Sequence, residues 1–278
     1  MSRIAFVTGA ASGIGRAVSE ALAQRGDTVV LADINEAEAK AAVHAINGRG
    51  CGTAIAVALD VREPGQVADA VDLVVRDHGR LDLMFNNPGI GVGGPVEELS
   101  LEHWDRIIDV NLRGVINGVR AAYPILVRQG HGHILNTASL AGLVPAPFLT
   151  PYATTKHAVV GLSLSLRAEA ALHGVRVSVL CPGVIDTPLI DSQGPDDLPT
   201  VVDRGSAREL LVQSGGKPYA PDRLAQDVLR GLEANRAIIV SPRSAQAVWR
   251  LFRLSPSLVM RRSSQIVRGV AAQAMEKT

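Results

Sequence analysis

Short apolar runs alternate with stretches of helical periodicity along most of this chain, and this alternation constrains the fold more than any other feature. Strands that are separated by helices form a parallel sheet with helices on both faces. No linker or internal repeat interrupts the pattern before residue 183. We therefore predict an α/β fold built on a single doubly wound, Rossmann-like parallel sheet. The predicted strands are 3–7, 28–32, 52–59, 81–86, 132–138, 175–181 and 237–240.

Glycine, proline or polar residues directly follow the predicted strands. In doubly wound sheets, ligands bind beyond the carboxyl ends of the strands. The predicted fold therefore gathers the candidate ligand-binding residues at one edge of the sheet. These residues are Gly9, Asp33, Asp60, Asn87, Ser139 and Pro182.

The first strand runs into a glycine-rich turn at 8–15 (TGAASGIG), which opens a helix. Glycines let the backbone approach a pyrophosphate at the positive N-terminus of such a helix. Asp33 lies twenty residues beyond Gly13, close to the offset at which an acid binds the adenosine ribose hydroxyls. Its charge repels the 2′-phosphate of NADP, and no Lys or Arg lies in the turn or just after Asp33. The pattern favours NAD, although Asp33 could also be an ordinary solvated residue at a strand end.

A tyrosine and a lysine stand four residues apart after a proline-rich loop. We predict that Thr150 caps a helix whose first residue is Pro151, which places Tyr152 and Lys156 on one face. An ammonium beside a phenol lowers the pKa of the phenol, so that it can exchange a proton with an alcohol or a ketone near neutral pH. Taken alone, such a pair is more typical of a solvated helix.

Composition excludes several other classes of protein. The chain has 278 residues, is 47% hydrophobic and carries a net charge of +1, which argues against nucleic acid as a partner. Cys51 and Cys181 have no second Cys or His at ligand spacing, so we predict no disulfide and no metal site, and expect both to be small buried residues. The chain has no apolar run of membrane-spanning length, and its N-terminal run is too short for a signal peptide. We therefore expect a cytoplasmic protein.

Seven motifs, in order and at familiar spacing, resemble the short-chain dehydrogenase/reductase family over residues 3–241. A member of this family is an oxidoreductase that uses a nicotinamide cofactor. The motifs are Thr8-Gly9-x-x-x-Gly13-x-Gly15, Asp60-Val61, Asn86-Asn87-x-Gly89, Asn111, Ser139, Tyr152-x-x-x-Lys156 and Pro182-Gly183-x-x-x-Thr187.

The resemblance implies a role for each catalytic position. Tyr152 would be the general acid/base, and Ser139 would bind the substrate oxygen. Lys156 would hold the nicotinamide ribose and lower the tyrosine pKa, while Asn111 would kink its helix and bind, through its backbone carbonyl, a water joined to Lys156. The cofactor-binding residues would be Gly9, Ser12, Gly13, Ile14, Gly15, Asp33, Asp60, Val61, Asn87, Gly89, Tyr152, Lys156, Pro182, Gly183, Ile185 and Thr187, with Asp60 near the adenine and Ile185 and Thr187 near the carboxamide.

One position departs from the family pattern, because Pro88 replaces the usual alanine. Proline removes a backbone N–H and biases Asn87 toward an extended conformation. Either the contacts of Asn87 and Gly89 with a cofactor differ from those of the family, or the proline only stiffens the turn beneath the cofactor.

The expected substrate loops are 91–96, 140–148 and the segment after Thr187, with 191–220 as a lid. Their apolar residues have no Lys or Arg beside them, which favours an apolar secondary alcohol or ketone over a phosphorylated or carboxylated substrate. Reaction in the direction of carbonyl reduction and a dinucleotide-binding sensor or scaffold without turnover are the alternatives. The family resemblance implies a homotetramer or dimer. The apolar residues are Leu140, Leu143, Val144, Pro145, Phe148, Leu189 and Ile190.

Residues 1–242 are predicted to form the catalytic domain, and 243–278 a basic helical extension. No acidic residue lies between Glu233 and Glu276, and Pro256 divides the extension into two predicted helices. An apolar stripe among arginines suits either packing on the protein itself, which we favour, or peripheral contact with an anionic membrane. The arginines are Arg243, Arg250, Arg253, Arg261, Arg262 and Arg268.

Overall fold

A parallel sheet of seven strands forms the centre of the computed structural model, which describes residues 2–192, 194–195, 197–201 and 217–276. The strand order is β3-β2-β1-β4-β5-β6-β7, and every neighbouring pair is parallel. This confirms the predicted doubly wound sheet. The strands are β1 Ile4–Thr8, β2 Thr28–Asp33, β3 Thr53–Ala58, β4 Leu83–Asn86, β5 Gly132–Thr137, β6 Val175–Pro182 and β7 Ile238–Ser241.

Helices cover both faces of the sheet, because the central strands are apolar on both sides. One core lies between the sheet and α3, α5 and α6, and a second lies between the sheet and α1, α2 and α7. The helices are α1 Gly13–Ala23, α2 Glu36–Asn47, α3 Pro64–His78, α4 Leu101–Ile108, α5 Gly114–Gln129, α6 Thr150–Ala170, α7 Pro221–Glu233, α8 Arg243–Leu254 and α9 Pro256–Glu276.

The strand order reverses between β1 and β4, which lie side by side at the centre of the sheet. In open sheets of this kind, the crevice beyond the carboxyl ends at the reversal is where ligands bind. Register brings the strand ends level: Val7 pairs with Phe85, and Asn86 pairs with Asn136. The topology thus places the candidate site at the carboxyl edge.

The helical segment after Ser100 is divided into α4 and α5 by a π-helical turn at Asp109–Arg113. This turn contains Asn111, the position at which the family resemblance implied a kink. One helix start differs from the prediction. Thr150 does not cap α6, because the Leu149 carbonyl already accepts the Ala153 N–H at 2.7 Å and the helix therefore begins at Thr150.

The extension forms two helices that meet at Pro256, as predicted. Ala245 and Val259 are buried, and Trp249 packs against the core that lies between the sheet and α3, α5 and α6. The inner face of the extension therefore packs on the protein itself. Within the described residues, no helix is long and apolar enough to cross a membrane.

The two cysteines differ in burial. Cys181 is buried as expected, but the expectation for Cys51 was wrong, since it lies exposed in the turn before β3. Most of the predicted lid at 191–220, namely 193, 196 and 202–216, lies outside the described residues.

Candidate active site

A cavity of about 820 Å³ opens at the carboxyl edge of the sheet. Sixteen of the eighteen predicted site residues line it, and Gly15 and Asn111 do not. The lining residues among those predicted are Gly9, Ser12, Gly13, Ile14, Asp33, Asp60, Val61, Asn87, Gly89, Ser139, Tyr152, Lys156, Pro182, Gly183, Ile185 and Thr187.

The backbone of the glycine-rich turn requires glycine at three positions. Gly9 and Gly13 have φ values of +61° and +53°, which favour glycine. A Cβ on Gly15 would lie 2.1 Å from the Gly9 carbonyl oxygen, so the turn packs closely on the start of α1. The N-terminus of α1 is left open to the cavity, which suits a pyrophosphate.

Asp33 is held by the backbone at the end of β2. Its carboxylate accepts the N–H groups of Ala11 and Asn35, each at 2.9 Å. No Lys or Arg lies within salt-bridge distance of it in the described part of the chain. The carboxylate oxygens have further lone pairs, so Asp33 can still accept hydrogen bonds from a ligand in the cavity.

Asn87 joins three elements at the centre of the carboxyl edge. Its N–H donates to Thr8 Oγ1 at 3.0 Å and its Nδ2 to the Gly9 carbonyl at 3.2 Å, while its Oδ1 accepts the Thr137 hydroxyl at 2.9 Å. Thr137 had not been predicted as part of the site. Pro88 lines the cavity and lies against the start of α5, where a Cβ on Gly114 would be 3.4 Å from its ring.

Lys156 is almost completely buried, with 2% of its surface exposed. Its ammonium donates to the Thr137 carbonyl at 3.1 Å and lies 5.5 Å from the centre of the Tyr152 ring. Burial lowers the pKa of Lys156 to about 8, because the charged form loses water. The Lys156 ammonium can therefore lose or regain a proton near neutral pH at a small cost in free energy.

The pKa of Tyr152 shifts opposite to our prediction. Burial raises it, and a hydrogen bond with the Ser139 hydroxyl only partly opposes this effect. In the protein alone, the loss of hydration of the phenolate thus outweighs the stabilisation that neighbouring groups provide. The Ser139 hydroxyl oxygen also accepts the Ala141 N–H at 3.1 Å, which fixes its position at the end of β5.

Asn111 lies behind the cavity and positions its wall. Its amide exchanges two hydrogen bonds with the backbone of Ile90, at 2.9 and 3.1 Å. A Cβ on Gly89 would lie 3.7 Å from the Lys156 ammonium and 4.0 Å from the Asn111 side-chain oxygen. The π-helical turn therefore holds the loop after β4 close to Lys156, and the water-binding role of the Asn111 carbonyl stays a prediction.

The cavity continues into a mostly apolar part lined by the predicted loop residues. Leu143 is an exception, since it packs instead against the core that lies between the sheet and α3, α5 and α6. The prediction that no arginine accompanies this lining was wrong, because Arg262 reaches the cavity from α9. Amphipathic periodicity indicated a buried face on the extension, but it did not indicate the surface that this face covers. The lining residues from the extension are Val248, Leu251, Val259, Arg262, Ser263 and Ile266.

Three comparisons with known proteins agree with this geometry. A cyclohexanol dehydrogenase of Acinetobacter sp. is 42% identical over 68% of this chain and 75% of its own length. A D-beta-hydroxybutyrate dehydrogenase of Rhizobium meliloti is 35% identical over 76% of this chain and 81% of its own. A short-chain dehydrogenase/reductase from Burkholderia phymatum, solved in complex with NAD, superposes with a TM-score of 0.83 at 32% identity, covering 92% of this chain and 95% of its own.

The family model described as short chain dehydrogenase matches residues 3–197, from the first strand to beyond the loop that follows β6. This range contains the glycine-rich turn, Asp33, Ser139, Tyr152 and Lys156. The chain is thus a member of the short-chain dehydrogenase family of oxidoreductases.

Proposed function

We propose that this protein is an NAD-dependent dehydrogenase that interconverts a bulky, apolar secondary alcohol and its ketone. The observation that carries the proposal is that Ser139, Tyr152 and Lys156 open onto the same cavity as the glycine-rich turn and Asp33. A dinucleotide bound at the turn and an alcohol bound at Tyr152 would therefore lie in the same cavity. We infer that residues 1–242 form the catalytic domain and 243–278 an extension.

The residues fit a dinucleotide, and Asp33 favours NAD over NADP. The N-terminus of α1 would hold the pyrophosphate, and Asp33 would accept hydrogen bonds from the adenosine ribose. Two arginines line the cavity near these groups, but Arg62 is paired with Asp60 and Arg106 with Asp197. Neither is free in this arrangement to bind a 2′-phosphate. The NAD complex of the Burkholderia phymatum protein supports the same choice.

Tyr152 would take the hydroxyl proton of the substrate during oxidation and return it during reduction. When bound, the nicotinamide ring accepts or supplies the hydride. Ser139, which interacts with the Tyr152 hydroxyl, would orient the substrate oxygen toward the same proton. Lys156, with a pKa of about 8, would hold the nicotinamide ribose and favour the phenolate once a ligand has changed the local charge.

The apolar lining supports a substrate whose reacting carbon belongs to a bulky hydrocarbon group. Leu140, Val144 and Phe148 line the cavity after Ser139, and Leu189 and Ile190 line it after β6. The similarity to a cyclohexanol dehydrogenase favours this class. Ketone reduction by the same residues is the reverse reaction, and a non-catalytic dinucleotide sensor is the competing hypothesis.

Partners and location stay predictions. Because the family assembles through elements equivalent to α7 and β7, we infer a homotetramer or dimer in the cytoplasm. The outer face of the extension carries exposed arginines and Leu254, which is 85% exposed. Peripheral contact with anionic lipid through this face is tested by co-sedimentation of the full chain with anionic and neutral vesicles.

The experiment that tests the proposed function measures NADH absorbance while the protein is incubated with NAD and a panel of alicyclic and aromatic secondary alcohols. We expect NADH formation with several of them, and slower formation with NADP in place of NAD. Calorimetric NAD binding without turnover of any alcohol or ketone would instead support the sensor hypothesis.

A further inference from the structure

The extension supplies one wall of the apolar part of the cavity. Four of its lining residues lie on α9 at positions 259, 262, 263 and 266, the spacing of a single helix face. Val248 and Leu251 continue this wall on α8. Ala245 and Trp249, which pack on the protein body, keep α8 in place. This wall is therefore built by a part of the chain outside the residues that the family model matches.

Arg262 differs from the other basic side chains that line the cavity in the described structure. Arg62 and Arg106 form ion pairs with Asp60 and Asp197, and Lys156 donates to a backbone carbonyl. Among the described residues, no carboxylate lies within salt-bridge distance of Arg262. It is exposed at the rim of an apolar wall. A guanidinium in this position can bind a carboxylate through two parallel hydrogen bonds.

We propose that Arg262 is a specificity-determining residue that binds a carboxylate at the end of the substrate remote from the alcohol. The apolar face of α8 and α9 then covers the hydrocarbon between the two groups. The proposal rests on the proposed function, because the alcohol end is placed at Tyr152. A carboxylate is favoured over a phosphate dianion because Arg262 is the single unpaired cation at this wall in the described part of the chain.

Two sets of ligands and two variants test the proposal. The substrates are (ω−1)-hydroxy carboxylic acids from short to long chains and the corresponding neutral amides, assayed by NADH formation. The variants are Arg262→Gln and, as a matched control, Arg261→Gln. Arg261 is the adjacent residue of α9, is exposed as well, and does not line the cavity.

For acids long enough to span the cavity, we expect Arg262→Gln to lower kcat/KM about tenfold, chiefly through KM because the contact is remote from the reacting carbon. The amides should change little with either variant, and Arg261→Gln should resemble the wild type with both ligand sets. Equal effects of the two variants at every chain length would overturn the proposal.

A binding measurement separates this proposal from the proposed function. Calorimetry with NADH-loaded protein and saturated fatty acids, compared with their amides, requires no turnover. Acid-selective binding that is lost in Arg262→Gln supports the carboxylate site even if no alcohol is oxidised. Turnover of alcohols without acid-selective binding leaves the proposed function intact and removes the role of Arg262.

Discussion

The two edges of the sheet hold polar groups in opposite ways, and β5 reaches both. His133 lies near the start of β5, at the amino edge, where it is buried and contacts the Ser178 hydroxyl at 2.8 Å. The backbone carbonyl of Thr137, the last residue of β5, accepts a hydrogen bond from Lys156, which is also buried, at the carboxyl edge. Burial lowers the pKa of both basic groups, that of His133 to about 3 and that of Lys156 to about 8.

The difference lies in what surrounds each group. At the amino edge, the Ser178 hydroxyl donates a hydrogen bond to the Arg236 carbonyl at 2.6 Å, and the Asp82 carboxylate accepts one from the Ile4 N–H at 2.8 Å. The hydrogen-bonding partners of these groups are other parts of the protein, and neither His133, Ser178 nor Asp82 lines the cavity of about 820 Å³. At the carboxyl edge, Lys156 and Tyr152 open onto the cavity. Buried polar groups therefore stabilise the fold at the amino edge, whereas at the carboxyl edge they can still bind a ligand.

The largest expected effect is on catalysis at the carboxyl edge. Tyr152→Phe should reduce turnover by about 10²–10⁴-fold, because it removes the proton-transfer group, while calorimetric NAD affinity changes little. Tyr123→Phe is the matched control, since Tyr123 lies on α5 outside the cavity lining. If Tyr152→Phe kept more than about a tenth of the wild-type rate, another residue would be the base.

At the amino edge, we expect an effect on acid stability and none on catalysis. The low pKa of His133 results first from burial and then from Arg176, Arg167 and Arg3. In the unfolded chain the His133 imidazole takes up a proton below pH 6.5, whereas in the folded protein it does so only near pH 3. The folded protein therefore loses stability as the pH falls through this range. By pH 4.5 the loss amounts to about 3 kcal/mol.

His133→Gln should remove this part of the pH dependence, because Gln can donate to Ser178 and does not titrate. Urea unfolding of the variant and of the wild type at pH 7 and pH 4.5 measures how much the free energy of unfolding of each protein changes between the two pH values. Parallel loss of stability in both proteins between the two pH values would show that His133 does not cause the acid sensitivity.

Cofactor choice is expected to depend on Asp33. Asp33→Asn should lower the preference for NAD over NADP by about ten- to hundredfold in kcat/KM, as charge-assisted hydrogen bonds to the ribose are lost. Asp72→Asn, an exposed change on α3 away from the cavity, serves as the control. An unchanged cofactor ratio would place the discrimination elsewhere.

Pro88 should have the smallest effect. Pro88→Ala gives the unfolded chain more freedom and should cost about 0.4–1 kcal/mol of stability, with KM for NAD nearly unchanged. Chemical denaturation and steady-state kinetics measure the two quantities. A change in KM of more than about tenfold would mean that the proline ring shapes the cofactor site itself.

The sequence predicted the parts of the site that depend on local pattern. Strand ends could be identified from apolar runs, and the parallel topology then implied that Gly9, Asp33, Asn87 and Ser139 would meet at one edge. These residues do line one cavity. Local pattern also located the junction of the extension helices at Pro256.

What could not be predicted depends on burial and on contacts between distant segments. The pKa of Tyr152 is raised because its hydroxyl loses hydration in the folded protein, which no spacing reveals. Thr137 binds Asn87 across fifty positions of chain. Arg262 reaches the cavity only because α9 folds back over it. An amphipathic pattern shows that a helix has a face to bury, but the partner surface is a property of the whole fold.

The central claim is that, at the carboxyl edge, an alcohol gives the hydride of its carbinol carbon to NAD while Tyr152 takes the hydroxyl proton. An isotope tests this claim most directly. Cyclohexanol deuterated at the carbinol carbon is incubated with NAD and the protein, and the reduced cofactor is examined by mass spectrometry. We predict one deuterium in each NADH formed, matched by one cyclohexanone, and almost no transfer by Tyr152→Phe. NADH without deuterium, or equal transfer by Tyr152→Phe and the wild type, would contradict the account.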